Sequence, residues 1–191
     1  VNAGNSIASG GNYNVTVGDE AGTAITTGDN NVAVGYAALD ANTTAANNTA
    51  VGYSALTANT TGAGNTAVGT SAAVANTTAA NNTIVGFEAF GTNTTGHSNV
   101  AIGKATMYAN TTGDINTAAG YAALSGNTTA DYNTAFGGYA LQANTTGTEN
   151  VAIGALALDA NTTASYGTAV GYDALTANTT GNSNAAVGRS S

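Results

Sequence analysis

Few side chains in this sequence could serve as an acid, a base, a nucleophile or a metal ligand. The 191 residues include ten Asp or Glu, no Cys and one His, His97. A catalytic or metal centre needs several such groups at one place. His97 falls in a variable position that holds Asp114 and Asp131 in other copies of a repeat, and Asp40 and Asp159 share another position. The sequence therefore predicts no enzyme, no metal site and no cofactor; only a symmetric trimer would bring His97 against its own copies.

Composition excludes further classes of protein. The net charge is −8, and the chain has only two Lys or Arg, so binding to nucleic acid through phosphate contacts is not expected. No apolar run approaches the ~20 residues needed to span a bilayer, so membrane insertion is not expected either. The acids do not recur in every repeat, as they do in calcium-binding solenoids.

One internal repeat organises the whole chain. A glycine preceded by an apolar residue recurs every 17 residues from Gly18 to Gly188, in eleven copies without insertion or deletion. This period is too short for a pair of packed helices. The alternation Thr66, Ala67, Val68 predicts a β-strand, a second short strand is predicted at residues 53–57, and residues 58–64 are predicted to form a turn.

The repeat predicts an all-β fold, a parallel β-solenoid or β-roll of eleven 17-residue coils. An inserted residue would shift every ladder between coils, which explains the constant period. At ~4.8 Å per coil, eleven coils would stack to roughly 50 Å. Residues 31–191 are expected to form the regular solenoid, and residues 1–30 a degenerate N-terminal coil.

Two apolar columns are the predicted core, because their members would supply most of the buried area. One column precedes the glycine and the other follows it by four residues. The predicted core residues are Val51, Val68, Val85, Ile102, Leu56, Leu124 and Leu141.

A third column consists of small residues, which indicates that another part of a protein approaches closely. Either the opposite side of the roll or a second chain could be that neighbour. The predicted close-packing residues are Ala67, Ala101, Ala118, Ala135, Gly69 and Gly103.

Two columns of asparagine are predicted to form hydrogen-bonded ladders between coils. One Asn precedes each strand, and the other begins each Asn-Thr-Thr triplet. The predicted ladder residues are Asn48, Asn65, Asn82, Asn99, Asn116, Asn133, Asn59, Asn76 and Asn110. Each triplet is formally an N-glycosylation acceptor, but glycans on neighbouring coils ~4.8 Å apart would collide.

The residue after the glycine is often aromatic, as at Tyr36, Tyr53, Phe87, Tyr121 and Tyr172. This column either covers a bend or forms a stripe that binds carbohydrate or aromatic groups. Gaps in the column favour the covering role.

The pattern Asn-Thr-Ala-Val-Gly-Tyr, with Ala-Leu and Asn-Thr-Thr-Gly, resembles the β-roll repeats of phage tail fibres and other fibrous surface proteins. More distantly, it is similar to the head repeats of YadA-like trimeric autotransporter adhesins, which commonly use 14 residues rather than 17. The resemblance covers nearly the whole chain, from about Asn14 to Gly188. It implies a left-handed, homotrimeric roll that contributes to attachment.

The expected function is therefore a fibre shaft or adhesin segment, on a virion or a cell surface, that mediates or spaces attachment to a host-surface receptor or glycan. A self-assembling extracellular filament subunit and an ice-binding solenoid are the alternatives. Ice-binding surfaces need two outward Thr on one strand, whereas adjacent residues such as Thr60 and Thr61 would point to opposite sides. Because a solenoid normally needs capped ends, we expect either a shaft from a longer protein or a subunit that stacks end to end.

Overall fold

The computed structural model describes residues 3–7 and 11–191. Eleven three-residue strands form one parallel sheet in sequence order, and each strand residue pairs with the residue 17 positions further along. The described residues contain no helix. The protein is therefore an all-β solenoid, as the repeat predicts. In chain order, strands β1 to β11 are Val15–Val17, Val32–Val34, Thr49–Val51, Thr66–Val68, Thr83–Val85, Val100–Ile102, Thr117–Ala119, Thr134–Phe136, Val151–Ile153, Thr168–Val170 and Ala185–Val187.

Strand β1 lies within the predicted degenerate segment 1–30, and it pairs with β2 in the same parallel register as the later strands. Residues 1, 2 and 8–10 of that segment lie outside the described residues.

The interior of each coil is narrow and is filled by three apolar columns. The alanine column consists of the middle residues of β2 to β10, and each is fully buried. A leucine column and the small residue before each of its members complete the core. The alanine column comprises Ala33, Ala50, Ala67, Ile84, Ala101, Ala118, Ala135, Ala152 and Ala169. The leucine column comprises Leu39, Leu56, Ala73, Phe90, Met107, Leu124, Leu141, Leu158 and Leu175.

The prediction of a second strand at residues 53–57 is wrong, because this segment forms consecutive turns. Ser54 and Leu56 have left-handed φ values of 52° and 50°, which a strand does not allow. Bonds between coils hold this unfavourable backbone: Ser54 N–H donates to Tyr36 O (2.8 Å), and Leu56 N–H donates to Ala72 O (3.0 Å). Each coil therefore has one strand, and curled backbone turns the leucine column inward.

The glycine after each strand lies at a tight contact between coils. Gly69 and Gly103 have φ values of 137° and 130°, which side chains rarely adopt. A Cβ on Gly69 would lie 2.5 Å from Gly86 O, and a Cβ on Gly103 would lie 2.6 Å from Gly120 O. These glycines therefore allow consecutive coils to stack closely.

We expect Ala118→Leu to lower the free energy of unfolding by about 1–3 kcal/mol, because added methyl groups overpack a tight core. Ala118 is fully buried between Ala101 and Ala135. Thermal unfolding followed by circular dichroism measures the change, and the outward substitution Thr117→Val is the control. A variant that melts like the parent would show that the alanine column has room to spare.

Candidate functional site

The third residue of each strand faces outward, because alternate residues of a strand point to opposite faces and the middle residue is buried. We name this set the outer column. Val68, Val85 and Ile102 have 36, 38 and 43% of their surface exposed, and Val51 is half-buried. The interpretation of these four residues as core is therefore wrong. The outer column comprises Val17, Val34, Val51, Val68, Val85, Ile102, Ala119, Phe136, Ile153, Val170 and Val187.

The remaining predicted core residues, Leu56, Leu124 and Leu141, are fully buried. The predicted close-packing alanines, among them Ala67 and Ala101, are also fully buried. They face the interior of their own coil, so the alternative in which the alanine column meets a second chain does not hold.

Beside the outer column runs a column formed by the first residue of each strand. It is half-exposed or exposed, and it holds Thr in six strands, Val in four and Ala in one. The hydroxyls of its threonines, such as Thr66 and Thr117, have no hydrogen-bond partner among the described residues. Neither of these two strand columns has a charged residue. The sheet therefore presents an uncharged, largely β-branched surface along its whole length.

The aromatic column lies on the other side of the outer column and is exposed. Tyr36 and Tyr53 stack with ring centroids 5.2 Å apart and planes at 18°. Lys104 Nζ lies 5.5 Å from the ring centroid of Phe87 and 6.0 Å from that of Tyr121. Neighbouring side chains therefore already occupy ring faces within the column, which favours the covering role over a stripe of free rings.

Two phenols of this region are held in their neutral form. A hydrogen bond to the Glu20 carboxylate raises the pKa of Tyr36, and a hydrogen bond with Tyr121 raises the pKa of Tyr139. Both phenols therefore stay uncharged through neutral pH. We name the outer column, the column of first strand residues and the aromatic column together the sheet face.

The asparagine before each strand forms a buried ladder, which we name the strand ladder. Asn65 N–H donates to Asn48 Oδ1 (2.9 Å), while Asn65 Nδ2 donates to Asn48 Oδ1 (3.2 Å) and to Ala79 O (2.8 Å). A buried polar group is costly unless it is bonded. The ladder therefore satisfies an inward backbone carbonyl and links each coil to the one before it. Its predicted members Asn82, Asn99, Asn116 and Asn133 repeat the bond to the preceding coil.

The asparagine of each Asn-Thr-Thr triplet forms a second ladder, the turn ladder. Asn76 Nδ2 donates to Asn59 Oδ1 (2.9 Å) and to Ala79 O (3.1 Å), so both ladders meet at the same carbonyl. Asn110 makes the equivalent pair of bonds to Asn93 Oδ1 and Gly113 O. Because these amides are fully buried and their donors are used, the folded coil offers no acceptor for N-glycosylation.

The two threonines of each triplet have different surroundings. Thr60 is half-buried, and its hydroxyl donates to Thr77 O (3.1 Å). Thr61 is exposed, and its hydroxyl has no hydrogen-bond partner among the described residues. The triplets therefore present one outward threonine per coil rather than the pair that the ice-binding alternative requires.

His97 and the acids in its position act as caps between coils. Ala80 N–H donates to His97 Nδ1 (2.9 Å), His97 N–H donates to Asp114 Oδ1 (2.6 Å), and Asp114 N–H donates to Asp131 Oδ1 (2.7 Å). Each side chain thus accepts a backbone donor from the preceding coil. The geometry assigns them a structural role, and the sequence did not reveal it because the residue type varies.

Nothing in the described part of the chain forms a metal or catalytic cluster. No group of three His, Asp or Glu there is close enough to hold a metal ion. An open depression of about 650 Å³ lies near the N-terminal coils, lined by polar residues that include Ser6, Glu20 and Thr23. Among the described residues, no helix is long and apolar enough to cross a membrane.

The sheet face is thus the extended surface that sequence reasoning missed. Its signal was present in the alternation of Ala67 with Thr66 and Val68, because a strand cannot bury both sets in one narrow coil. No family model matches the chain, and comparisons with curated proteins and with solved structures found no similar protein.

Proposed function

We propose that this chain is a shaft segment of a phage tail fibre or bacterial surface adhesin, and that it acts as a homotrimer that spaces or mediates attachment outside the cell. The observation that carries the proposal is the uncharged sheet face. Exposed apolar surfaces of this extent mark interaction sites. The buried Asn ladders support the same role, because they join every coil to its neighbours and so favour a stiff rod.

The area of the sheet face is sufficient for a stable contact. Ten rung spacings separate β1 from β11, which is a length of ~48 Å at ~4.8 Å per rung. The three columns span four residue steps, or ~13 Å. The face therefore offers roughly 600 Å² per chain, and two such faces exceed the ~1,000 Å² expected of a specific interface.

A second copy of the chain is the partner that fits this face best. Identical copies have the same rung spacing, so their outer columns would stay level with each other along the whole shaft. The net charge of −8 opposes association of copies through most other surfaces, whereas the two strand columns have no charge.

Three copies suit the arrangement of the columns. Around a three-fold axis parallel to the rod, the outer column of each chain would point at the axis. The column of first strand residues would then meet the aromatic column of a neighbour. A closed ring of this kind requires all chains to be level, since a stagger would produce an open helix.

Light scattering tests the assembly. We expect a folded species of three chain masses at micromolar concentration, and small-angle scattering should show a rod about 50 Å long. A folded species of one chain mass would contradict the proposal. In the assembled shaft, the capping turn residues such as His97 and Asp114 stay on the outside, where a receptor or glycan could contact them.

A further inference from the structure

The buried leucine column shows how this solenoid compensates for a missing side chain. Ala73 is its one alanine and Phe90 its one phenylalanine, and they occupy consecutive coils. Both are fully buried. Protein interiors are close-packed, so the large side chain of one coil makes up for the small one of the coil before it. The alanine column changes from Ala67 to Ile84 between the same two coils.

The outer column has the same pattern, although it is exposed in the single chain. Ala119 is its one alanine and Phe136 its one phenylalanine, and they are paired on adjacent strands β7 and β8. Every other member is Val or Ile. Phe136 has 43% of its surface exposed. A solvated surface imposes no such constraint on volume, whereas a packed interior does.

Tyr108 and Gly91 show the geometry of such a pair. They also occupy equivalent positions of consecutive coils, and a Cβ built on Gly91 would lie 2.6 Å from Tyr108 Cε2. The aromatic ring of the later coil therefore lies over the small residue of the earlier coil. The order along the chain, small residue first and aromatic residue second, is the same for Ala119 and Phe136.

We infer that Ala119 and Phe136 are a compensated pair inside an interchain core, in which the Phe136 rings of the copies fill the space that the three Ala119 side chains leave at the next level. This inference rests on the proposed homotrimer and names the residues that determine its packing. The two levels together would hold about the same volume as two levels of valine, so the contact between chains continues without a gap.

A double-mutant cycle tests the pair. Phe136→Val leaves the alanine level unfilled, and Ala119→Val overfills it beneath the rings. Each single change is expected to weaken assembly at least ~10-fold, since cavities and overpacking each cost more than ~1.4 kcal/mol when three chains change together. The double variant restores a continuous valine column and should assemble within about threefold of the parent. Sedimentation across a dilution series measures the dissociation constants.

Tyr108→Val is the matched control, because Tyr108 is equally exposed, at 44%, and covers Gly91 outside the sheet face. It should leave assembly unchanged. Single variants that assemble like the parent, or a double variant as weak as the two single effects combined, would overturn the compensated pair while leaving the shaft intact. Parent chains that stay monomeric would overturn the proposed function and the pair with it.

Discussion

Asn99→Ala is expected to lower the free energy of unfolding by about 2–4 kcal/mol, because it removes a buried link of the strand ladder. Asn99 Oδ1 accepts the backbone N–H of Asn116 (2.9 Å), and Asn99 Nδ2 donates to Gly113 O (2.9 Å). Alanine leaves the Asn116 N–H buried without an acceptor. The lost side chain also leaves a cavity between two coils.

Urea unfolding followed by circular dichroism measures this change, and Thr95→Ala provides the control. Thr95 is exposed in the same part of the repeat, and its hydroxyl has no hydrogen-bond partner among the described residues, so its loss should change stability by less than about 0.5 kcal/mol. An Asn99→Ala variant as stable as Thr95→Ala would show that the ladder does not stabilise the coil stack.

Ile102→Glu is expected to weaken assembly at least ~100-fold, because it places a carboxylate from every copy at one level of the interchain core without a partner. Ile102 lies in β6, the central strand, and 43% of its surface is exposed in the single chain. Each chain should therefore still fold, and light scattering should report single chains.

Thr112→Glu carries the same charge on an exposed position away from the sheet face, and it should assemble like the parent. The contrast separates the position of the charge from the change in net charge. If both variants assembled equally well, the outer column would not lie between chains.

The architecture could be predicted because it depends on spacing alone. A constant period of 17 residues specifies parallel stacking in register, and invariant Asn at a bend indicates a ladder. Gly69 and Ala118 could be recognised as tight positions because small residues recur there. None of these inferences requires knowledge of how the chain bends within a coil.

The orientation of the outer column could not be predicted in the same way. Val68 has the hydrophobicity and β-branching of a core residue, and the alternation of the strand does not itself reveal which face is inside. The left-handed backbone at Ser54 and Leu56 decides the matter, because it turns the leucine column toward the alanines. That conformation is rare outside glycine, so residue types gave no indication of it.

Disulfide trapping tests most directly whether the sheet face joins level copies of the chain. The sequence has no cysteine, so single substitutions Val51→Cys, Ile102→Cys and Ile153→Cys can each be oxidised separately, with exposed Thr112→Cys as the control. Level parallel chains predict that all three outer-column variants form covalent two-chain products, while the control stays single. Antiparallel pairs would cross-link at Ile102 alone, and outer-column variants that cross-link no faster than the control would contradict an interchain core.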